Sequence, residues 1–129
     1  METIASNDDV DILFHPEERC IETRWKRSAP GYEDNLSNAA VELPLRGASA
    51  WLDDMSGYPG FHPGHARHIR DVLLQPLVAG GLKRFATIFP SDLPEAMTAP
   101  TIAKYAAQGV DAKGFHDRAK AWTWIRTSS

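Results

Sequence analysis

Asp53, Asp54, His62, His65 and His68 bring two carboxylates and three imidazoles into one short stretch of the chain. Carboxylate oxygens and neutral imidazole nitrogens are ligands for divalent metals, and histidine also titrates close to neutral pH. The spacing limits that chemistry. On a helix, His65 falls on the same face as Ile69 and Leu73, whereas His68 swings about 100° away from Ile69. The three imidazoles converge only if a loop returns His62 to the helix. Zinc signatures join two separated pairs of ligands, a pattern missing here. His62, His65 and His68 are thus an incomplete ligand set, and neither a metal nor another cofactor is expected.

Other catalytic arrangements are equally partial. Ser56 with His62 and either Asp53 or Asp54 supplies the residue types of a hydrolytic triad. There is no Gly-x-Ser-x-Gly elbow, and the three groups crowd into one loop. Asp53 and Asp54 lack the geometry of an acid/base pair, since neighbours on a strand point to opposite faces. Gly57, Gly60, Gly64 and Gly80-Gly81 match no phosphate-binding spacing. Cys20 has no activating base nearby and reads as a small half-buried filler. Met55, Tyr58 and Phe61, with Trp51 close by, are the residue types found where proteins contact partners or line apolar pockets. They also suit a lid folded over the core.

The elements that must position these residues run from Ala50 to Pro90. Ala50–Asp54 is a short apolar run ending in two acids. A loop, Met55–His62, follows it. Pro63 opens a helix to Ala79 with apolar residues at Ile69, Val72, Leu73 and Leu77, and Gly80 ends it in the left-handed conformation. Arg84–Phe89 is a second apolar run, stopped by Pro90. Two such strands joined by a helix are parallel, with a right-handed crossover. Ligand sites in these units lie at the carboxyl ends of the strands, here Asp53–His62 and Pro90–Leu93.

The rest of the chain extends this pattern. Met1–Asp9 reads as a frayed polar tail, with residues 10–127 as the folded domain. Val10, Ile12 and Phe14 alternate with Asp11, Leu13 and His15. Ile21, Thr23 and Trp25 alternate with Cys20, Glu22 and Arg24, so the two runs form a hairpin. Tyr32, Leu36, Ala39, Ala40 and Leu43 lie on one helical stripe. Ser91-Asp92 caps a segment that Pro100 breaks, Thr101–Gln108 is helical, and Gly109 ends it. Val110–Phe115 is the last strand. Asp117 caps a final helix with an inner stripe of Ala119, Trp122 and Ile125, and with Trp124 on the outer side. The expected fold is α/β: a single-domain sandwich with a mixed, mainly parallel sheet of about five strands and flanking helices, in the order ββαβαβαβα. Trp51, Leu52, Ile69, Leu73, Phe85, Ile88 and Trp122 are expected in one core.

The chain has 129 residues and a formal net charge of −3, with acids and bases interspersed. It lacks the basic patch of a nucleic-acid binder. No apolar run approaches the roughly 20 residues of a membrane span. The lone cysteine excludes an internal disulfide, and no signal-peptide core precedes the domain, which fits a cytoplasmic protein.

Trp51-Leu52-Asp53-Asp54, followed by Leu77-Val78-Ala79-Gly80-Gly81-Leu82-Lys83-Arg84-Phe85-Ala86, resembles the STAS domains, named for sulfate transporters and anti-sigma-factor antagonists. The likeness is to the stand-alone bacterial STAS-like proteins, with their Trp-Leu-x-Asp strand and Gly-Leu-Lys-Arg-Phe-Ala segment, and it spans Val10 to Ile125. The resemblance implies a non-enzymatic regulatory or binding module that acts through a protein partner or a small apolar ligand. Its contact surface would include Asp54, Met55, Ser56, Tyr58, Phe61, His62 and His65. Trp124 and the loop aromatics also suggest a homodimer or a heteromeric contact. Asp54-Met55-Ser56-Gly57 matches the first antagonist motif, Asp-Leu-Ser-Gly. The second, Asp-Ser-Ser-Gly, falls on His62-Pro63-Gly64-His65, so the phosphorylated serine is replaced by Pro63. Ser56 is the hydroxyl left nearby. The second reading is a small enzyme, metal-dependent or not, using the Asp53–His68 region.

Overall fold

The structure, a computed structural model, describes residues 1–27, 32–57, 67–90 and 99–127. One mixed sheet carries six strands in the order β1-β2-β3-β4-β5-β6, where β1 is Glu2–Ser6, β2 Val10–His15, β3 Cys20–Trp25, β4 Ala50–Asp54, β5 Arg84–Ile88 and β6 Asp111–Phe115. β1, β2 and β3 run antiparallel, and β3 to β6 are parallel. The helices are α1 (Tyr32–Leu45), α2 (Leu74–Ala79, continuing a π-helical turn Ile69–Leu73), α3 (Ala99–Ala107) and α4 (Arg118–Thr127).

The α/β class and the mixed sheet agree with the sequence; the strand count and element order do not. The order is βββαβαβαβα, because β1 forms where a frayed tail is expected. Glu2–Ser6 has no fully buried residue to announce it. It is held by its ladder to β2 and by Asn7, whose Oδ1 accepts the N–H groups of Asp9 at 2.8 Å and Val10 at 3.0 Å and so closes the turn.

The parallel strands are added in one direction, and crossovers of one hand then set α1, α2 and α3 on the same face. That face holds Trp25, Leu36, Leu43, Trp51, Ile69, Leu73, Leu77, Phe85 and Tyr105 in one buried cluster. The other face is covered by α4, with Cys20, Ala50, Leu52, Ala86, Ile88, Trp122 and Ile125 beneath it. The residues expected in a single core are all buried, but strand alternation divides them between these two clusters.

Two local expectations change for physical reasons. Val72 is 55% exposed, and Ile69, Leu73, Leu74 and Leu77 form the buried stripe instead. Pro76 cannot donate to the carbonyl of Val72, and its ring crowds that carbonyl. The preceding turn widens to π geometry, which inserts one residue and rotates Val72 outward. The left-handed residue after α2 is Gly81 (φ 106°), while Gly80 has φ −79° and donates its N–H to Pro76 O at 2.8 Å. In α4, Asp117 Oδ1 caps the N–H groups of Ala119 and Lys120 as expected. The buried stripe there is Ala121, Trp122 and Ile125; Ala119 is exposed. Among the described residues no helix is long and apolar enough to cross a membrane.

Candidate functional site at the carboxyl end of β4

Every residue of β4 is buried, yet the strand ends in two acids. Asp53 pairs in register with Thr23 of β3, and Asp54 pairs with Arg24. The alternation of side chains therefore sends the carboxylates to opposite faces, each with its own solution to burying charge.

On the three-helix face, Thr23 Oγ1 donates to Asp53 Oδ1 at 2.7 Å and Trp25 Nε1 donates to the same oxygen at 2.8 Å. Trp51 Nε1 in turn donates to Thr23 Oγ1 at 2.8 Å. The Thr23 hydroxyl is thereby fixed as acceptor from one indole and donor to the carboxylate. The sequence placed Thr23 and Trp25 on one face; the parallel pairing of β3 with β4 joins them to Asp53.

On the α4 face, Arg118 Nη1 lies 2.5 Å from Asp54 Oδ2 and 2.7 Å from Glu22 Oε2. Glu22 is fully buried. Its Oε1 is 2.7 Å from His15 Nε2, and Arg24 Nε donates to its Oε2 at 3.1 Å. Burial alone would raise the Glu22 carboxyl, but bonds to His15, Arg118 and Arg24 reverse that and bring it down to about 2. Burial would likewise lower the Arg118 guanidinium, and Glu22 and Asp54 more than offset it, so its pKa rises. Below this cluster, burial is the main cause that pushes the Cys20 thiol up, with the Glu22 charge adding to it. A thiol so held is a poor nucleophile near neutral pH.

Asp54 also shapes the turn that leaves the strand. Its Oδ1 accepts from Ser56 Oγ at 2.6 Å and from Ser56 N–H at 3.0 Å. Gly57 closes the turn against β3, where a Cβ would lie 2.5 Å from the Trp25 carbonyl oxygen. Ser56 and Gly57 are exposed, whereas Met55 is 2% exposed and belongs to the three-helix cluster. Of the contact residues read from the sequence, the structure thus places Asp54 and Met55 inside and Ser56 on the surface. Tyr58, Phe61, His62 and His65 lie outside the described residues, as does Pro63.

His68 is described. Its ring meets Tyr32 edge-on at 6.2 Å, and its Nε2 is buried with no hydrogen-bond partner among the described residues. It borders a cleft of about 300 Å³ with Tyr32, Glu33, Arg67, Asp71 and Val72. Among the described residues no three His, Cys, Asp or Glu side chains are grouped to hold a metal ion. A second cleft, of about 630 Å³, opens at the opposite, amino end of the parallel strands. Arg19, Arg84 and Arg126 in its lining are bound to Gly47 O, Ile125 O and Glu18 respectively.

Sequence reasoning missed Glu22, His15 and Arg118 as members of the Asp54 cluster. One signal existed: Glu22 and Asp54 end on one face of adjacent strands, and two buried acids require a cation. No spacing rule identifies the cation as Arg118, in the first turn of the last helix. No protein-family model matches the chain, and no curated protein matches it significantly.

Proposed function

We propose that the chain is a non-enzymatic, STAS-like binding module that meets a protein partner at the carboxyl end of β4. The observation that carries this reading is the commitment of the Asp54 and Glu22 oxygens. Both oxygens of each carboxylate are engaged by Arg118, Arg24, His15 or Ser56. A general base needs a free lone pair and a pKa near working pH. Glu22 is held well below that range. The cluster instead acts as a brace that fixes the exposed Ser56–Gly57 turn on a rigid strand end, which suits a recognition surface. The resemblance of Trp51–Asp54 and Leu77–Ala86 to STAS-like proteins points the same way, as an analogy of sequence.

A small-ligand or enzymatic reading is favoured by one observation, the buried Nε2 of His68, which has no partner among the described residues. Site-specific photo-crosslinking separates the two. A benzophenone side chain at position 56, in the native host, should capture one protein, and excess unmodified chain should compete it away. Absence of a competed crosslink, together with small molecules that raise Tm in the natural protein but not in His68→Gln, would establish the second reading instead.

A further inference from the structure

The geometry points to β6 as the self-pairing edge of a twofold dimer, in which a second copy of this chain continues the sheet in antiparallel register about Ala112. β6 is the last strand of the sheet and pairs with β5 on one side. Asp111 N–H donates to Lys83 O at 2.9 Å, and Phe115 O accepts from Phe89 N–H at 2.8 Å. Backbone groups alternate sides along a strand, so the N–H and C=O groups of Ala112 and Gly114 are directed away from β5. Such a row is a template for another strand.

Charge selects the occupant and the register. Asp111, Lys113 and Phe115 share the α4 face, and among the described residues neither Asp111 nor Lys113 takes part in an ion pair. Antiparallel pairing centred on Lys113 would set two ammonium groups face to face, which is unfavourable. Centred on Ala112, the two copies exchange both Ala112 hydrogen bonds, and Asp111 of each copy stands opposite Lys113 of the other. That non-hydrogen-bonded position brings side chains closest. Beside the edge lies a groove of about 440 Å³ lined by Lys113, Phe115, Lys120, Thr123 and Trp124, with no acid among the described residues of its wall. Asp111 of the second copy brings the missing negative charge to it. The opposite sheet edge does not offer the same template, because the β1 ladder shifts register between Thr3 and Ala5. Pairing β6 with β6 therefore closes a dimer and does not propagate.

Sedimentation equilibrium of the whole chain tests this, read together with amide exchange at Ala112 and Gly114. The natural chain is expected to dimerise in the high micromolar range and to protect the Ala112 amide only as a dimer. Lys113→Asp turns two attractive contacts into two repulsive ones and should weaken the dimer at least about tenfold. Asp111→Lys combined with Lys113→Asp restores opposite charges and should restore the dimer. Ala112→Pro removes an outward N–H and should leave a folded monomer; if it unfolds, the exposed charge variants still decide. A natural chain that stays monomeric with an exchanging Ala112 amide overturns the inference. So does a dimer that Lys113→Asp leaves unchanged, a double swap that fails to rescue, or a monomer that takes an extended peptide on β6.

Discussion

On the three-helix face, Asp53 is bound by a threonine hydroxyl and an indole N–H, with a second indole behind the hydroxyl. On the α4 face, Asp54 is bound by a guanidinium that it shares with Glu22, and by the Ser56 turn. The two carboxylates are chain neighbours and almost equally buried, at 1% and 3% exposure. What differs is the route back to solvent. Among the described residues, the groups around Asp53 (Thr23, Trp25 and Trp51) are all buried. The Arg118 side chain is 35% exposed, and Ser56 lies on the surface. The Asp54 network therefore connects a buried charge to groups that face solvent. Burial alone does not say whether an acid is structural or responsive; the exposure of its partners does.

The largest expected effect comes from removing the shared cation. Among the described residues, Arg118→Leu leaves Asp54 with Ser56 alone and leaves Glu22 with Arg24 and His15. Breaking one side of a buried ion pair costs about 3–5 kcal/mol, and the partly exposed guanidinium puts this case near about 3 kcal/mol. Denaturant melts measure it. A loss below about 1 kcal/mol, the value of an exposed pair, would erase the contrast between the two faces.

The acid limb of the stability curve sharpens the same comparison. Glu22 falls from an ordinary 4.5 to about 2 in the folded chain. A depressed carboxylate contributes stability that is fully present above its unfolded pKa and lost as pH falls through the folded one. The window here is pH 4.5 down to about 2. Glu22→Gln should remove one proton from the folding linkage, which flattens the slope in that window by about 1.4 kcal/mol per pH unit. An unchanged slope would mean that Glu22 titrates alike in both states.

The sequence announced the strands and helices that carry strong periodicity and punctuation. β2 and β3 were legible from alternation, β4 and β5 from short apolar runs, and α4 from its Asp117 cap. β1 was not, because an edge strand with no fully buried residue leaves no apolar pattern. The outward turn of Val72 was not, because a π turn breaks the 3.6-residue period that pattern reading assumes. Of the site, the divergence of Asp53 and Asp54 followed from strand geometry alone. The inward position of Met55 and the capture of Asp54 by Arg118 are tertiary facts, since they depend on how the turn and α4 settle on the sheet.

The smallest effects offer the finest test, because the same edit can be made on both faces. Thr23→Val and Ser56→Ala each delete one hydroxyl bonded to an aspartate. Thr23 Oγ1 is buried, donates to Asp53 and accepts from Trp51 Nε1, so its loss strands an indole N–H in the core and takes one donor from the carboxylate. An unsatisfied buried group costs about 1–3 kcal/mol, and about 2 kcal/mol is expected here. Ser56 is an exposed residue, and Asp54 keeps both the Ser56 N–H and Arg118 after the deletion. Water can replace the lost donor, so about 0.5 kcal/mol is expected. Urea melts of the two variants against the natural chain give the pair of values. Equal losses would mean that the Ser56 turn is as closed to water as the Thr23 site, and Ser56 could not then belong to a recognition surface. A larger loss for Thr23→Val, with the Ser56→Ala melt almost unchanged, is the outcome that keeps Asp53 as a core acid and Asp54 as the base of an accessible turn.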